Sequence, residues 1–233
     1  MTSTLFVPVL NEIEGMKVVL PDIAKTWDGQ ILIVDGQSTD GSAEYAKNQG
    51  WDVYVQKKPG IRNAYREAWP LIKGDVVITF SPDGNCLPEV IPELCKKIQE
   101  GYEMVIASRY LNNAISEDDD AVTRFGNWMF TNLINFLYDS HYTDAMGIFR
   151  AYQTSLFYKL SLDEDPAYRA EKWLGTIVGV EPLLSIRAAK KKIKMCDILG
   201  IEKSRISGIR KLQPFRWGMV YLIQTLRELY AWR

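Results

Sequence analysis

Ile31-Leu32-Ile33-Val34-Asp35-Gly36-Gln37-Ser38-Thr39-Asp40-Gly41-Ser42 runs from an apolar, β-branched segment into an aspartate and then into a loop of glycines and hydroxyl residues. The apolar segment predicts a strand over 31–35, and Ser38 or Asp40 is of the type that caps a following helix. An aspartate at a strand's end can accept hydrogen bonds from a ribose or a base edge. Capping accounts for Asp40, whereas Asp35, an uncapped carboxylate, calls for a ligand.

The same alternation repeats on either side of this stretch. Strands are predicted over 5–9, 31–35, 52–56, 76–80 and 104–107, with amphipathic helices over 15–26, 42–49, 61–72 and 88–100. Strand–helix alternation of this kind is the pattern of a parallel sheet with crossover helices. Three strands run straight into polar or glycine-rich loops: Asn11-Glu12, Gly36-Gln37-Ser38 and Ser81-Pro82-Asp83-Gly84-Asn85. The carboxyl ends of parallel strands line the ligand crevice of an open sheet, so these three loops are expected to meet there.

The 233 residues carry a net charge of −1, with 47% hydrophobic and 24% charged residues, which excludes a disordered chain and a strongly basic nucleic-acid binder. The size suits one large α/β domain with a sizeable core. No apolar run approaches the roughly 20 residues of a spanning helix, and Met1-Thr2-Ser3-Thr4 leads into a strand without the pattern of a signal peptide, so a cytoplasmic protein is expected. Cys86, Cys95 and Cys196 have no metal-like spacing and read as small buried or half-buried residues.

The second half reads differently. Residues 116–120, Ser-Glu-Asp-Asp-Asp, are expected to form a solvated connection that breaks the sheet. Residues 124–138 carry Phe125, Trp128, Met129, Leu133, Phe136 and Leu137 on an aromatic amphipathic helix. A long helical stretch over 171–190, a strand over 193–199, a polar loop over 200–211 and a helix over 217–232 follow. His141, the one histidine, reads as structural, and Lys190-Lys191-Lys192 as ordinary basic surface.

A dinucleotide site would need a Gly-x-Gly-x-x-Gly turn after the first strand, but Pro8-Val9-Leu10-Asn11-Glu12-Ile13-Glu14-Gly15 is bulky and acidic there. A diphosphate would have to be neutralised by a metal or by arginines. Phe6-Val7-Pro8-Val9-Leu10-Asn11-Glu12, Ile33–Gly41, Ser81-Pro82-Asp83-Gly84-Asn85 with Pro88-Glu89, and Ile106-Ala107-Ser108-Arg109-Tyr110 together resemble, in order and spacing, glycosyltransferase family 2. The resemblance is greatest to polyprenyl-phosphate sugar transferases of the dolichol-phosphate mannose synthase type. Asp144-Ala145-Met146-Gly147-Ile148-Phe149-Arg150 extends it, with Ile148 where that family has glycine.

The resemblance implies a GT-A fold, a Rossmann-like, mostly parallel mixed sheet flanked by helices with C-terminal amphipathic helices. It divides the chain into a transferase domain, 1–212, with a nucleotide-sugar half (1–110) and an acceptor half (111–212), and a C-terminal amphipathic helix, 213–233. It implies a nucleotide-sugar donor, GDP- or UDP-linked, and inversion at the anomeric carbon. Pro8, Asn11, Glu12, Asp35, Gly36, Ser81 and Pro82 fall where the family holds the nucleotide, and Asp83 and Asn85 where it holds Mg²⁺ or Mn²⁺. Arg109 and Arg124 match phosphate-contacting arginines, and Arg205, Arg210 and Lys211 resemble a basic loop that closes over the diphosphate; ordinary basic surface is the alternative for Arg205 and Lys211. Departures from the family pattern are Leu10 for an aromatic, Gly36 for the second acid of an acidic pair, and Ser81 for the first acid of the metal motif. One strong ligand in place of two weakens a metal site.

A phosphate acceptor is already anionic and needs no general base, whereas a sugar hydroxyl needs one, for which Asp144 and Glu181 are the candidates. Trp217, Tyr221, Leu222, Leu226, Leu229, Tyr230 and Trp232, rimmed by Arg216, Arg227 and Arg233, form an apolar face suited to a membrane surface, with partner binding, a homo-oligomer or core packing as alternatives. The leading expectation is a metal-dependent transferase moving a hexose to polyprenyl phosphate, peripheral on the inner membrane face. A saccharide acceptor in surface polysaccharide assembly and a catalytically silent nucleotide-sugar-binding module are the alternatives; no nucleic acid is expected.

Overall fold

A computed structural model describes residues 1–114, 116–206 and 213–232. Its seven strands are β1 (Ser3–Val9), β2 (Gln30–Asp35), β3 (Asp52–Val55), β4 (Val76–Thr79), β5 (Met104–Ser108), β6 (Arg150–Gln153) and β7 (Met195–Leu199). They form one sheet in the order β3-β2-β1-β4-β6-β5-β7, parallel except for β6, which runs antiparallel to both of its neighbours. The helices are α1 (Ile13–Thr26), α2 (Ser42–Asn48), α3 (Ile61–Ala68), α4 (Ile91–Gln99), α5 (Ala121–Tyr138), α6 (Leu156–Lys159), α7 (Arg169–Leu174), α8 (Glu181–Lys190) and α9 (Pro214–Arg227).

Both faces of the sheet are covered, so the middles of the central strands, Leu5-Phe6-Val7, Ile31–Val34 and Val76–Ile78, are continuously apolar rather than alternating. The period-2 geometry of a strand sends Leu5, Val7 and Val9 to one side and Phe6 to the other. On the first side they join Ile31, Ile33, Ile78 and Val105 beneath α1, α2 and α4. On the second, Phe6 joins Leu32, Val34, Val77 and Ile106 beneath α3, α5, α8 and α9. Trp69 lies at the centre of this second layer, with ring centroids 4.2 Å from Phe157, 6.0 Å from Tyr65 and 6.0 Å from Tyr152.

The sequence-based layout is corrected in three places. The helix expected over 171–190 is two, α7 and α8. Gly175 ends the first in a left-handed conformation (φ 59°), the β-branched run Thr176-Ile177-Val178 disfavours helix, and Pro182 opens the second. Strand β6 was not expected. Its buried Arg150 is satisfied from the preceding turn and from α8, donating to Gly147 O from Nε at 2.8 Å and to Ser185 Oγ from Nη1 at 3.1 Å.

The third concerns α9, whose inner face is part of the core. Trp217, Tyr221, Leu222, Leu229 and Trp232 pack into the second layer, Tyr138 Oη donates to Thr225 O at 2.5 Å, and Arg187 pairs with the buried Glu228 at 2.9 Å. The apolar residues of this segment that face outward are Phe215, Met219, Leu226 and Tyr230. Among the described residues no helix is long and apolar enough to cross a membrane.

Candidate active site

The loops after β1 and β2 are stitched together by short polar side chains. Asn11, at φ 55°, accepts from Thr39 N through Oδ1 at 2.8 Å, and its own N–H donates to Ser38 Oγ at 2.9 Å. Asp40 accepts from Ser42 N at 3.0 Å and from Ile13 N at 3.0 Å, so one carboxylate serves the first turns of α1 and α2. Burial acts to raise its pKa, but the hydrogen bonds from Ser42 and Ile13 outweigh it and hold the carboxyl below its ordinary value. The loop after β4 joins them because Gly15 lets α1 lie directly on it: a Cβ there would come 2.2 Å from Pro82 O.

A crevice of about 1010 Å³ opens over these loops. Of the residues expected at the nucleotide, Pro8, Glu12, Gly36 and Ser81 line it. Asp35 is buried between the lining residues Val34 and Gly36. Its Oδ2 accepts from Gln37 N and Ser38 N at 3.0 Å, and its Oδ1 has no hydrogen-bond partner among the described residues. A buried carboxylate oxygen without a donor is costly, and a nucleoside N–H or O–H would satisfy it. At Gly36 a Cβ would approach Val9 O to 3.2 Å and Leu10 Cβ to 3.4 Å, so a second acid would have to push the β1 loop aside. Asn11 turns towards Thr39, and Pro82 seats α1; neither lines the crevice.

Asp83 and Asn85 both line it. Asp83 Oδ1 accepts from Asn85 N at 3.2 Å, and Asn85 Nδ2 donates to Asp118 Oδ2 at 3.0 Å. Asn85 Oδ1 is buried and has no hydrogen-bond partner among the described residues. The acidic loop is thus not a solvated connection. Asp118 holds Asn85 and Arg205, Asp119 accepts from Tyr110 Oη, and Asp120 caps α5 by accepting from Thr123 N at 2.8 Å. Residues 202–206 close over the metal-motif loop from above. Glu202 bridges Cys86 and Ser116, Lys203 N donates to Asn85 O at 3.2 Å, and Ile206 N donates to Asp83 O at 2.7 Å.

For the divalent cation that the resemblance implies, the donor set is the Asp83 carboxylate with the orphaned Asn85 oxygen. Among the described residues no three His, Cys, Asp or Glu side chains are arranged to hold a metal unaided. The pair therefore fits an ion whose remaining ligands come from a bound diphosphate and water.

Arg109 lines the crevice and forks onto Asp144, with Nε 2.7 Å from Oδ2 and Nη2 3.1 Å from Oδ1. Asp144 is fully buried and accepts further from Asn127 Nδ2, Met146 N and Gly147 N at 3.1, 3.2 and 3.0 Å. Burial alone would raise its pKa, but the Arg109 charge and hydrogen bonds outweigh it and keep the carboxyl below its ordinary value. Both oxygens are committed, so nothing in this geometry offers Asp144 a substrate proton.

Glu181, at the start of α8, lines the crevice and accepts from Tyr65 Oη at 2.5 Å. Arg124 is exposed on the first turn of α5. Arg205 lines the crevice beside Asp83 and Asp118; burial opposes its charge, and the Asp118 hydrogen bond with the charges of Asp83, Asp118 and Glu12 keeps its pKa above the ordinary value. Arg210, Lys211 and Arg233 lie outside the described residues.

Sequence reading missed the wall facing the β1 loop, built from Gln56, Pro59, Gly60 and Ile177. Gly60, at φ 99°, allows it: a Cβ would lie 2.8 Å from Ile177 side-chain carbons. Glu171 orders this wall by accepting from Arg62 Nη2 at 2.7 Å and from Val178 N at 2.9 Å. Gly60 between a strand and a helix was the available signal; the Arg62–Glu171 pair has none in a single sequence.

Away from the loops the crevice continues as an apolar trench between α5 and α9. These helices run side by side in one direction, Phe130 against Gly218 and Tyr221, Tyr138 against Thr225. Val122, Phe125, Met129 and Phe130 form one wall, and Phe215, Met219 and Leu222 the other. Outside it α5 presents Trp128 and Phe136, which are 62% and 84% exposed.

The sequence profile of glycosyl transferase family 2 matches residues 4–161. The chain is 29% identical to a dolichyl-phosphate hexose transferase of Haloferax volcanii over 210 residues, 89% of this chain and 85% of that protein. It is 25% identical to the glycosyltransferase AglJ of the same organism over 229 residues, covering 96% and 71% of the two chains. Among solved structures, glucosyl-3-phosphoglycerate synthase of Mycobacterium tuberculosis, in complex with Mn²⁺, UDP and phosphoglyceric acid, superposes with a TM-score of 0.69 at 19% identity, over 99% of this chain and 78% of that one. That likeness establishes a shared fold.

Proposed function

The chain belongs to glycosyl transferase family 2, and from that premise we propose that it moves a hexose from a GDP- or UDP-linked sugar to a polyprenyl phosphate at the cytoplasmic face of a membrane. The observation that carries this reading is the continuity of the crevice: a polar end lined by Asp83, Asn85 and two arginines, with the orphaned Asp35 oxygen buried beside it, runs into an apolar trench. A phosphorylated isoprenoid has the complementary shape, an anionic head on an apolar chain. The relative named dolichyl-phosphate hexose transferase, aligned over most of both chains, supports the same class of acceptor.

In this reading Asp35 Oδ1 receives the nucleoside, while Pro8, Glu12 and Gly36 shape its pocket. Asp83 and Asn85 would hold Mg²⁺ or Mn²⁺, which when bound neutralises charge gathering on the departing diphosphate. Arg109, fixed in its rotamer by Asp144, presents its remaining N–H groups to phosphate oxygens. Asp144 is a positioning residue, and Asn127 positions it in turn. Arg124, exposed between the crevice-lining residues Thr123 and Phe125, meets the acceptor phosphate. The acceptor oxygen attacks the anomeric carbon opposite the breaking bond to the diphosphate, and configuration inverts. That oxygen is already anionic, so orientation and charge stabilisation supply the rate and no side chain has to take a proton.

A hydroxyl acceptor is the second reading, favoured by Glu181, a crevice-lining carboxylate oriented by Tyr65. The trench tests the first. Gly126 lines it and has open space where a Cβ would stand, so Gly126→Leu obstructs the trench without disturbing the core. Transfer to polyprenyl phosphate should fall about tenfold or more with nucleotide binding unchanged. Undiminished transfer to the lipid would reject the trench as the acceptor path.

A further inference from the structure

We propose that Asp118 supplies the second carboxylate of the divalent-cation site and that Arg205 stands in that site as a resident cation which the incoming metal and diphosphate displace. The inference rests on the metal-assisted reading above and deepens it. The family's first metal-motif acid is Ser81 here, a weak ligand, so a second protein carboxylate has to come from elsewhere in the chain.

Asp118 arrives from the opposite side, out of the acidic loop. Its Oδ2 lies 3.0 Å from Asn85 Nδ2 and 3.1 Å from Arg205 Nη2, and the same Nη2 lies 3.5 Å from Asp83 Oδ2. One guanidinium nitrogen therefore sits between two carboxylates that would otherwise repel each other. Beside them is an independent sign of a missing ligand: the other end of the Asn85 amide, Oδ1, is buried and has no hydrogen-bond partner among the described residues. Two carboxylates and an amide oxygen are the hard oxygen donors that Mg²⁺ and Mn²⁺ prefer.

The Arg205 distances are those of an ion pair and too long for metal coordination at about 2.0–2.6 Å, so the guanidinium and the metal are alternative occupants. Arg205 can leave without unfolding its segment, because Lys203 N and Ile206 N bind backbone carbonyls, Asn85 O and Asp83 O, rather than the carboxylates. Once displaced, it has the donor's diphosphate to bind in a charge-assisted fork. The exchange makes metal and donor binding cooperative, since each gives Arg205 a reason to move.

The test is a Mn²⁺ titration of the full chain, read from the electron paramagnetic resonance signal of free ion, with and without UDP or GDP. Asp118→Asn and Asp83→Asn should each weaken Mn²⁺ binding about tenfold or more. Arg205→Gln should tighten it about tenfold in the absence of nucleotide, by removing a competing positive charge. Those opposite signs cannot both arise from a misfolded loop. Wild-type affinity in Asp118→Asn alongside loss in Asp83→Asn would overturn the role of Asp118, and unchanged or weaker binding in Arg205→Gln would overturn that of Arg205. If the wild-type chain binds the nucleotide but no Mn²⁺, the metal-assisted reading fails and this inference with it.

Discussion

Asp144→Asn is expected to destabilise the fold by about 3–5 kcal/mol, the cost of leaving one partner of a buried ion pair uncompensated. The geometry explains why the isosteric amide does not rescue it. Oδ2 accepts from Arg109 Nε, and Oδ1 from Arg109 Nη2, Asn127 Nδ2, Met146 N and Gly147 N, so both oxygens face donors only. Whichever way the amide turns, an N–H₂ group meets N–H groups. Asp119 and Glu202, each 3.8 Å from Arg109 Nη1, offset part of the orphaned charge and place the expected value nearer 3 than 5. For a chain of this size that is a fall in Tm of roughly 6–20 °C. Urea and thermal melts of the pure variant measure it, and transfer should fall with it because Arg109 loses its orientation. A variant that melts within 2 °C of the parent would refute the stability cost, and undiminished turnover would refute the positioning of Arg109.

The same pair fixes a pH dependence. Asp144 titrates below its unfolded value of about 3.9, so its stabilisation is complete above that value and is lost as pH falls through the folded pKa. Urea midpoints between pH 6 and 8 should not move on its account, and the acid limb should be shallower in Asp144→Asn. Gly15→Ala should cost about 1–3 kcal/mol and weaken nucleotide binding, since its Cβ would lie 2.2 Å from Pro82 O; a parent-like melt and affinity would show that α1 does not seat the loop. Glu228→Gln should cost about 3 kcal/mol by stranding buried Arg187, and Arg187→Met with Glu228→Leu should recover much of it in a double-mutant melt. Replacing Trp128 and Phe136 by Ala should change stability by less than about 0.5 kcal/mol each while reducing binding to anionic vesicles; equal binding would remove α5 as the lipid-facing surface.

The parallel sheet was legible because both of its faces are buried and β1, β2 and β4 end in polar loops. Those are local facts of periodicity and turn chemistry. What escaped is tertiary in origin. Strand β6 is four residues long and opens with a buried arginine whose partners lie on the preceding turn and on α8. The acidic loop has the composition of a solvated linker, and only the arrival of Arg205 and Asn85 makes it part of the site. Segment α9 is apolar around most of its circumference, so periodicity could not say that Trp217 and Tyr221 face the core while Phe215 and Met219 face out. The break between α7 and α8 was readable, in Gly175 and the β-branched run after it.

The most direct test of the account is transfer of labelled hexose from a panel of GDP- and UDP-sugars, with Mg²⁺ or Mn²⁺, to a short polyprenyl phosphate in competition with a saccharide acceptor. The expected result is a lipid-phosphate hexose product with inverted anomeric configuration. Transfer to the saccharide alone, or nucleotide-sugar binding without turnover, would contradict it.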